Sequence, residues 1–182
     1  MLGEGSGALV LESEEHARRR GTRPRAVLRG YGACSSGHSL VAPDPTGRDI
    51  CRAATRALSG IALEEVGWVK AHGTGTRLGD AAEIRGLAAL FGARLATVPI
   101  AGLKPLFGHC LGASGAVEAV AAVLAMERGM VPATLGTRDV DPELPSCDVA
   151  LAPRTVAARA ALLLSQGFGG RSMALVIGRP SA

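Results

Sequence analysis

Short apolar runs alternate along the chain with stretches whose apolar positions recur every three or four residues, and polar, glycine-rich segments separate them. The run over 7–12 (GALVLE) fits a buried strand, and Ser13 is placed to cap a helix through Arg20 that Gly21 stops. Ala26 to Ala33 reads as a second strand. Pro43, Pro45 and Gly47 mark a loop, after which Asp49, Ile50, Ala53, Ala54, Ala57 and Leu58 recur at helical spacing until Ser59-Gly60. Val66 to Ala71 is a third strand, followed by a helix from about Leu78 to Phe91 that Gly92 closes. Thr97 to Ala101 is a fourth. Ala116 to Arg128 is apolar nearly all round, which predicts a buried helix. A strand near 131–134, a Pro-rich loop over 139–147, and strands at 160–164 and 172–177 complete the chain. Strands alternating with helices predict a layered α/β domain.

Composition narrows the picture. The 182 residues are 47% hydrophobic, enough for one core, and no run approaches the roughly eighteen uninterrupted apolar residues of a membrane helix. The opening MLGEGSGALVLESEE places acids where a signal peptide needs bases, so a cytoplasmic, soluble protein is expected. Four cysteines, Cys34, Cys51, Cys110 and Cys147, form no C-x-x-C pair, which indicates neither a metal site nor a disulfide scaffold. The net charge of +4 is mostly scattered arginine, and aromatics are only 3%, so nucleic-acid binding is not expected. The cluster Arg18, Arg19, Arg20, Arg23 and Arg25 fits a solvated helix end, with an acidic protein partner as the alternative.

Three polar, glycine-rich loops each follow an apolar strand, where α/β domains place their sites. They are His72-Gly73-Thr74-Gly75-Thr76, Lys104-Pro105-Leu106-Phe107-Gly108-His109 and Gln166-Gly167-Phe168-Gly169-Gly170. Two of the chain's four histidines sit in them, one beside small hydroxyls and the other five residues after a lysine. Taken singly, each loop is readable as a turn. Their joint order is harder to assign to turns alone.

These loops, with Leu78-Gly79-Asp80 and 112–118 (GASGAVE), resemble the C-terminal half of a β-ketoacyl-acyl-carrier-protein synthase, and residues 3–12 resemble that family's mid-chain segment. The ending is similar to type II polyketide ketosynthases. The resemblance implies a thiolase-like fold: a layered α-β-α arrangement on a mixed five-stranded sheet, plus the last strand and helix of the N-terminal half. On that basis 1–25 ends the N-terminal half and 26–182 forms the C-terminal domain. The resemblance also implies chemistry. An active-site Cys takes an acyl group from a carrier protein's phosphopantetheine, malonyl-carrier protein loses CO2, and the enolate attacks the acyl thioester. His72 and His109 fall at the assisting histidines, and Lys104 with Glu118 at the charge network beneath them. Thr74 and Thr76 match hydroxyls that meet pantetheine amides. Phe168, with Gly167 and Gly169, matches the gating and oxyanion loop. No cofactor is implied beyond the phosphopantetheine that carries the substrates.

The family's nucleophilic Cys lies upstream of the segment matched by residues 3–12. Gly32-Ala33-Cys34-Ser35-Ser36-Gly37 imitates its loop, but a reactive thiol at a helix N-terminus needs the helix, and Pro43 and Pro45 follow too closely to allow a long one. Cys34 therefore reads as a structural or loop thiol. The expected role is the C-terminal subunit of a split ketosynthase. Its partners would be an N-terminal half that supplies the Cys and an acyl carrier protein, in a higher-order dimer. A non-catalytic interaction module and a malonyl-carrier-protein decarboxylase are the alternatives.

Overall fold

The runs rich in Val, Ile, Leu and Ala form strands, and the segments of helical period form helices. The computed structural model describes residues 1–180. In chain order the strands are β1 (Val27–Ser35), β2 (Val66–Ala71), β3 (Pro99–Gly102), β4 (Met130–Val131), β5 (Asp148–Val149), β6 (Arg154–Thr155), β7 (Ala160–Gly167) and β8 (Arg171–Gly178). The helices are α1 (Glu14–Arg19), α2 (Arg48–Ala57), α3 (Arg77–Phe91), α4 (Lys104–Phe107) and α5 (Ser114–Glu127). Ser13 caps α1, its hydroxyl accepting from His16 N–H.

A mixed sheet of order β1-β8-β7-β2-β3-β5 forms the middle layer, and β4 pairs with β6 apart from it. β7, β2, β3 and β5 run parallel, whereas β8 is antiparallel to both β7 and β1. The sheet thus has six strands rather than the expected five, the sixth being the two-residue β5 at its edge. α2 and α3 cover one face, burying Ile50, Ala53, Ala57, Ile84 and Leu87 against Val69, Leu162, Leu164 and Val176. α5 lies on the other, with Ala119, Ala122 and Met126 against Trp68, Leu163 and Ile177. α2 approaches β1 closely because Gly32 has no side chain: a Cβ there would run into the Ala53 carbonyl.

Four expectations change. Residues 7–12 form no strand. A strand needs a neighbour for its N–H and C=O groups, and this segment instead crosses the start of α5, where a Cβ on Gly7 would lie 2.9 Å from the Ala116 and Val117 backbone. Val10 and Leu11 are left exposed. The strand near 131–134 ends at Val131, because Pro132 brings no N–H to the ladder. α4 is too short for any periodicity to reveal, yet Pro105 in its first turn is pre-set for helix. Finally, α5 is buried on one side only, with Val117, Val120, Ala121 and Leu124 half-buried. Among the described residues no helix is long and apolar enough to cross a membrane.

Candidate functional site

Because β2, β3 and β7 are parallel, the three loops that follow them emerge at one end of the sheet. β2 delivers His72, β3 delivers Lys104 and, past α4, His109, and β7 turns through Phe168 into β8. The two imidazole rings meet edge to face, 5.6 Å between centroids with planes 84° apart. Gly108 makes the bend before His109 at φ +74°, and its backbone packs on Gly3 so tightly that a Cβ on Gly108 would lie 2.7 Å from it. His109 N–H donates to Met1 O and Gly3 N–H to His109 O, so the start of the chain lies alongside this histidine.

Beneath the rings lies a buried ionic cluster. Lys104 Nζ donates to Glu118 Oε1 at 2.7 Å, to the His72 carbonyl, and to His72 Nδ1 at 3.3 Å. Glu118 projects from the first turns of α5 and its second oxygen, Oε2, accepts from Lys70 Nζ, which also donates to Leu164 O. Lys70 is 1% exposed and Glu118 2%. Glu83 of α3, also buried, accepts the N–H of His72 at 2.7 Å and of Gly73 at 3.0 Å, fixing the turn that carries the histidine. Asp80 accepts from Gly75 N–H at 3.2 Å.

The partners assign both imidazole tautomers. A lysine ammonium only donates, so His72 Nδ1 accepts from Lys104. His109 Nδ1 accepts from Leu111 N–H at 3.1 Å and lies 3.1 Å from the Ser114 hydroxyl. Each ring therefore keeps its proton on Nε2, as a neutral donor. Burial, then the Lys104 and Lys70 ammoniums, hold His72 down at about 3. His109 is lowered as well, chiefly by burial and then by Lys104. Burial pushes the Glu83 and Asp80 carboxyls up, against the backbone N–H groups that favour their charged forms.

Of the residues singled out from sequence, the structure brings His72, His109, Lys104 and Glu118 into one cluster. Thr74 and Thr76 lie on the His72 loop, their hydroxyls 2.9 Å apart. Phe168 is 80% exposed at the β7–β8 hairpin tip, where Gly169 has φ +77°, and that tip is tied to 35–40 through Gly169 N–H to Leu40 O and Ser36 N–H to Gly170 O. Gly167 pairs with Arg171 across the hairpin. No hydrogen bond among the described residues joins Phe168, Gly167 or Gly169 to the histidines. Cys34 lies within β1, opposite Ser172, and no helix follows until Arg48. A cleft of about 400 Å³ beside Arg23, Met126 and Arg179 lies at the far end of α5 and includes none of these residues. Sequence reasoning missed Lys70 and Glu83. The signal for Lys70 was a lone charge inside the apolar run 66–71.

A mixed sheet layered between helices, with histidines at the ends of its parallel strands, defines a thiolase-like α/β domain of the ketosynthase type. The family described as "Beta-ketoacyl synthase, C-terminal domain" matches residues 25–138. The chain belongs to that family. The 3-oxoacyl-[acyl-carrier-protein] synthase 2 of Mycobacterium tuberculosis is 42% identical over 181 residues, spanning 98% of this chain and 43% of the relative. The mitochondrial 3-oxoacyl-[acyl-carrier-protein] synthase of Arabidopsis thaliana is 39% identical, spanning 97% of this chain and 39% of the relative. The ishigamide ketosynthase/chain length factor superimposes over 100% of this chain and 44% of its own, with TM-score 0.93 and 34% identity. A type II polyketide synthase ketosynthase in complex with its acyl-carrier protein does so over 93% and 42%, with TM-score 0.89 and 30% identity. The chain spans about two fifths of the length of the curated relatives it matches.

Proposed function

We propose that this chain supplies the decarboxylation and condensation half of a β-ketoacyl-acyl-carrier-protein synthase, completed by a partner chain that carries the N-terminal region and its nucleophilic Cys. The observation that carries the reading is the pair of neutral imidazoles, each with Nδ1 engaged from behind and Nε2–H left to donate. Two such donors suit one thioester oxygen as it gains charge. In the proposed reaction the malonyl carboxylate leaves as CO2, and the electron pair of the broken C–C bond passes into an enolate. The Nε2–H groups of His72 and His109 stabilise its oxygen. The enolate carbon then attacks the acyl carbon held on the partner's Cys, a C–C bond forms, and the Cys leaves as thiolate. The negative charge of the malonyl group ends on that thiolate, so no net proton is required. Neutral imidazoles are needed throughout, and burial together with Lys104 keeps them so.

Several features support the partners. The relatives are named as acyl-carrier-protein synthases, and solved neighbours are titled as ketosynthases with a chain length factor or an acyl-carrier protein. Thr74, Thr76 and the Phe168 hairpin border the same end of the sheet and suit a pantetheine arm and a gate. The test is co-expression with candidate N-terminal ketosynthase chains, followed by mass spectrometry of the complex and an assay with malonyl-carrier protein. Acyl capture on the partner Cys, and condensation lost in His72→Ala and in His109→Ala, are expected. No acyl capture, with condensation intact in both variants, would overturn the reading. CO2 release without condensation would point to a decarboxylase.

A further inference from the structure

The two lysines that share Glu118 come from different elements, Lys70 from β2 and Lys104 from the first residue of α4. Lys104 reaches it from the end of β3 and touches His72 directly, whereas Lys70 reaches it from within β2 and touches neither histidine. Lys70 is nonetheless the more deeply buried of the two. A buried ammonium in an apolar strand is costly unless partnered, and an apolar residue of similar volume would fill this position at less cost. Its contacts point to what it holds. Glu118 has two oxygens, and each takes one lysine. Without Lys70 the carboxylate is free to rotate and to offer Lys104 either oxygen. The Lys104 ammonium would then lose the fixed direction that aims its remaining donors at His72 Nδ1 and His72 O.

We propose that Lys70 is a positioning residue of the histidine site: clamped to Glu118 Oε2 and Leu164 O, it fixes the carboxylate that aims Lys104 at His72. This rests on the ketosynthase reading for its consequence in turnover, though not for the geometry. The charged groups that act on it are Glu118 from α5, Lys104 from α4 and Glu83 from α3, and it acts in turn on His72. Glu83 is turned to the backbone N–H groups of the His72 loop, which leaves Glu118 as the carboxylate bonded to both lysines. Lys70 is also one of the cations that disfavour a proton on His72. Removing it therefore acts on His72 twice, by loosening Lys104 and by withdrawing a positive charge.

The experiment compares wild type with Lys70→Met in the assembled ketosynthase, this chain together with its complementary region. Lys70→Gln, which keeps an N–H donor for Glu118 without the charge, is a second variant that decides the matter if the first fails to fold. The kcat for malonyl-thioester decarboxylation should fall roughly 10–100-fold, by analogy with the loss when a residue that orients a metal ligand is removed. KM should stay within about twofold, and the acid limb of the pH profile should move to higher pH. A folded variant with wild-type kcat and an unmoved acid limb overturns the proposal. If wild type turns over no malonyl thioester, the functional reading has failed by itself, and NMR titration of the His72 ring tests Lys70 alone. His72 should then begin to protonate at higher pH in the variant, and an unchanged titration refutes the clamp.

Discussion

Replacing Glu118 by glutamine keeps the shape of the side chain and removes the one carboxylate that two buried lysines share. The side chains of Lys70, Lys104 and Glu118 are 1%, 6% and 3% exposed, so water cannot take over the lost partner. Breaking a buried pair in this way costs about 3–5 kcal/mol. The protein has one route of relaxation, which is to release a proton from a lysine. At pH 7, for an amine of ordinary pKa about 10.4, that route costs about 1.36 kcal/mol for each of some 3.4 pH units, or about 4.6 kcal/mol. The two figures agree, so the expected destabilisation at pH 7 is about 4 kcal/mol, a large part of a typical total of about 5–15 kcal/mol. The sign of the pH dependence follows. An unpartnered buried lysine has a folded pKa below its unfolded value, so the unfolded chain binds the extra proton and stability rises with pH. The deficit of Glu118→Gln should therefore shrink between pH 7 and 10. Urea unfolding of the assembled protein at pH 7, 8.5 and 9.5 measures it. A deficit below about 1 kcal/mol at pH 7, or one that does not shrink with pH, would show that the cluster is wetter than its geometry implies.

His72, held neutral at about 3, adds a slope of the same sign at lower pH. As pH falls from about 6.5 toward 3 the unfolded chain takes up a proton that the folded chain refuses, and stability drops by at most about 1.4 kcal/mol per unit. His72→Gln should flatten that part of the curve relative to wild type, and an identical slope in the two proteins would refute the assignment. Gly32→Ala drives a methyl into the Ala53 carbonyl of α2 and should cost about 1–3 kcal/mol in unfolding. Gly112→Ala, where a Cβ meets nothing within 4 Å, is the matched control and should be neutral or slightly stabilising. Equal losses in the two would remove the steric argument.

The alternation of strands and helices was readable because each element buries one face and so carries its own period. α2 shows this well: Ile50, Ala53, Ala54 and Ala57 recur at helical spacing and all are buried. Parallel pairing of β2, β3 and β7 then explains why three loops far apart in sequence share one end of the sheet. Residues 7–12 misled because an apolar run does not specify a partner: here the segment only crosses the start of α5 at Gly7, no strand pairs with it, and Leu9, Val10 and Leu11 stay exposed. Lys70 was out of reach for a different reason. Its partner lies 48 residues away, and no local pattern encodes a pairing across the gap between a strand and a helix. Glu83 was hidden likewise, since its partners are backbone N–H groups, which every residue but proline owns.

α5 carries the last consequence. Its composition is apolar nearly all round, yet the sheet covers only the side of Ala119, Ala122, Ala125 and Met126. The side of Val117, Val120, Ala121 and Leu124 is half-open. The same face of the sheet is bare beyond it: Met173 and Leu175 alternate with Ile177 along β8, Tyr31 lies opposite Leu175, and Tyr31 and Met173 are 74% and 54% exposed. An apolar surface that continues from a helix onto an uncovered sheet face marks an interface, because exposed carbon on this scale favours association. The complementary ketosynthase region is the proposed cover. Expressed alone, the chain should bind a dye such as ANS, self-associate, and melt broadly. With its complement, dye binding should vanish and a sharp transition appear. An isolated chain that is monomeric, silent to the dye and sharply melting would mean that α5 is content with half a cover, and the need for a partner would fall with it.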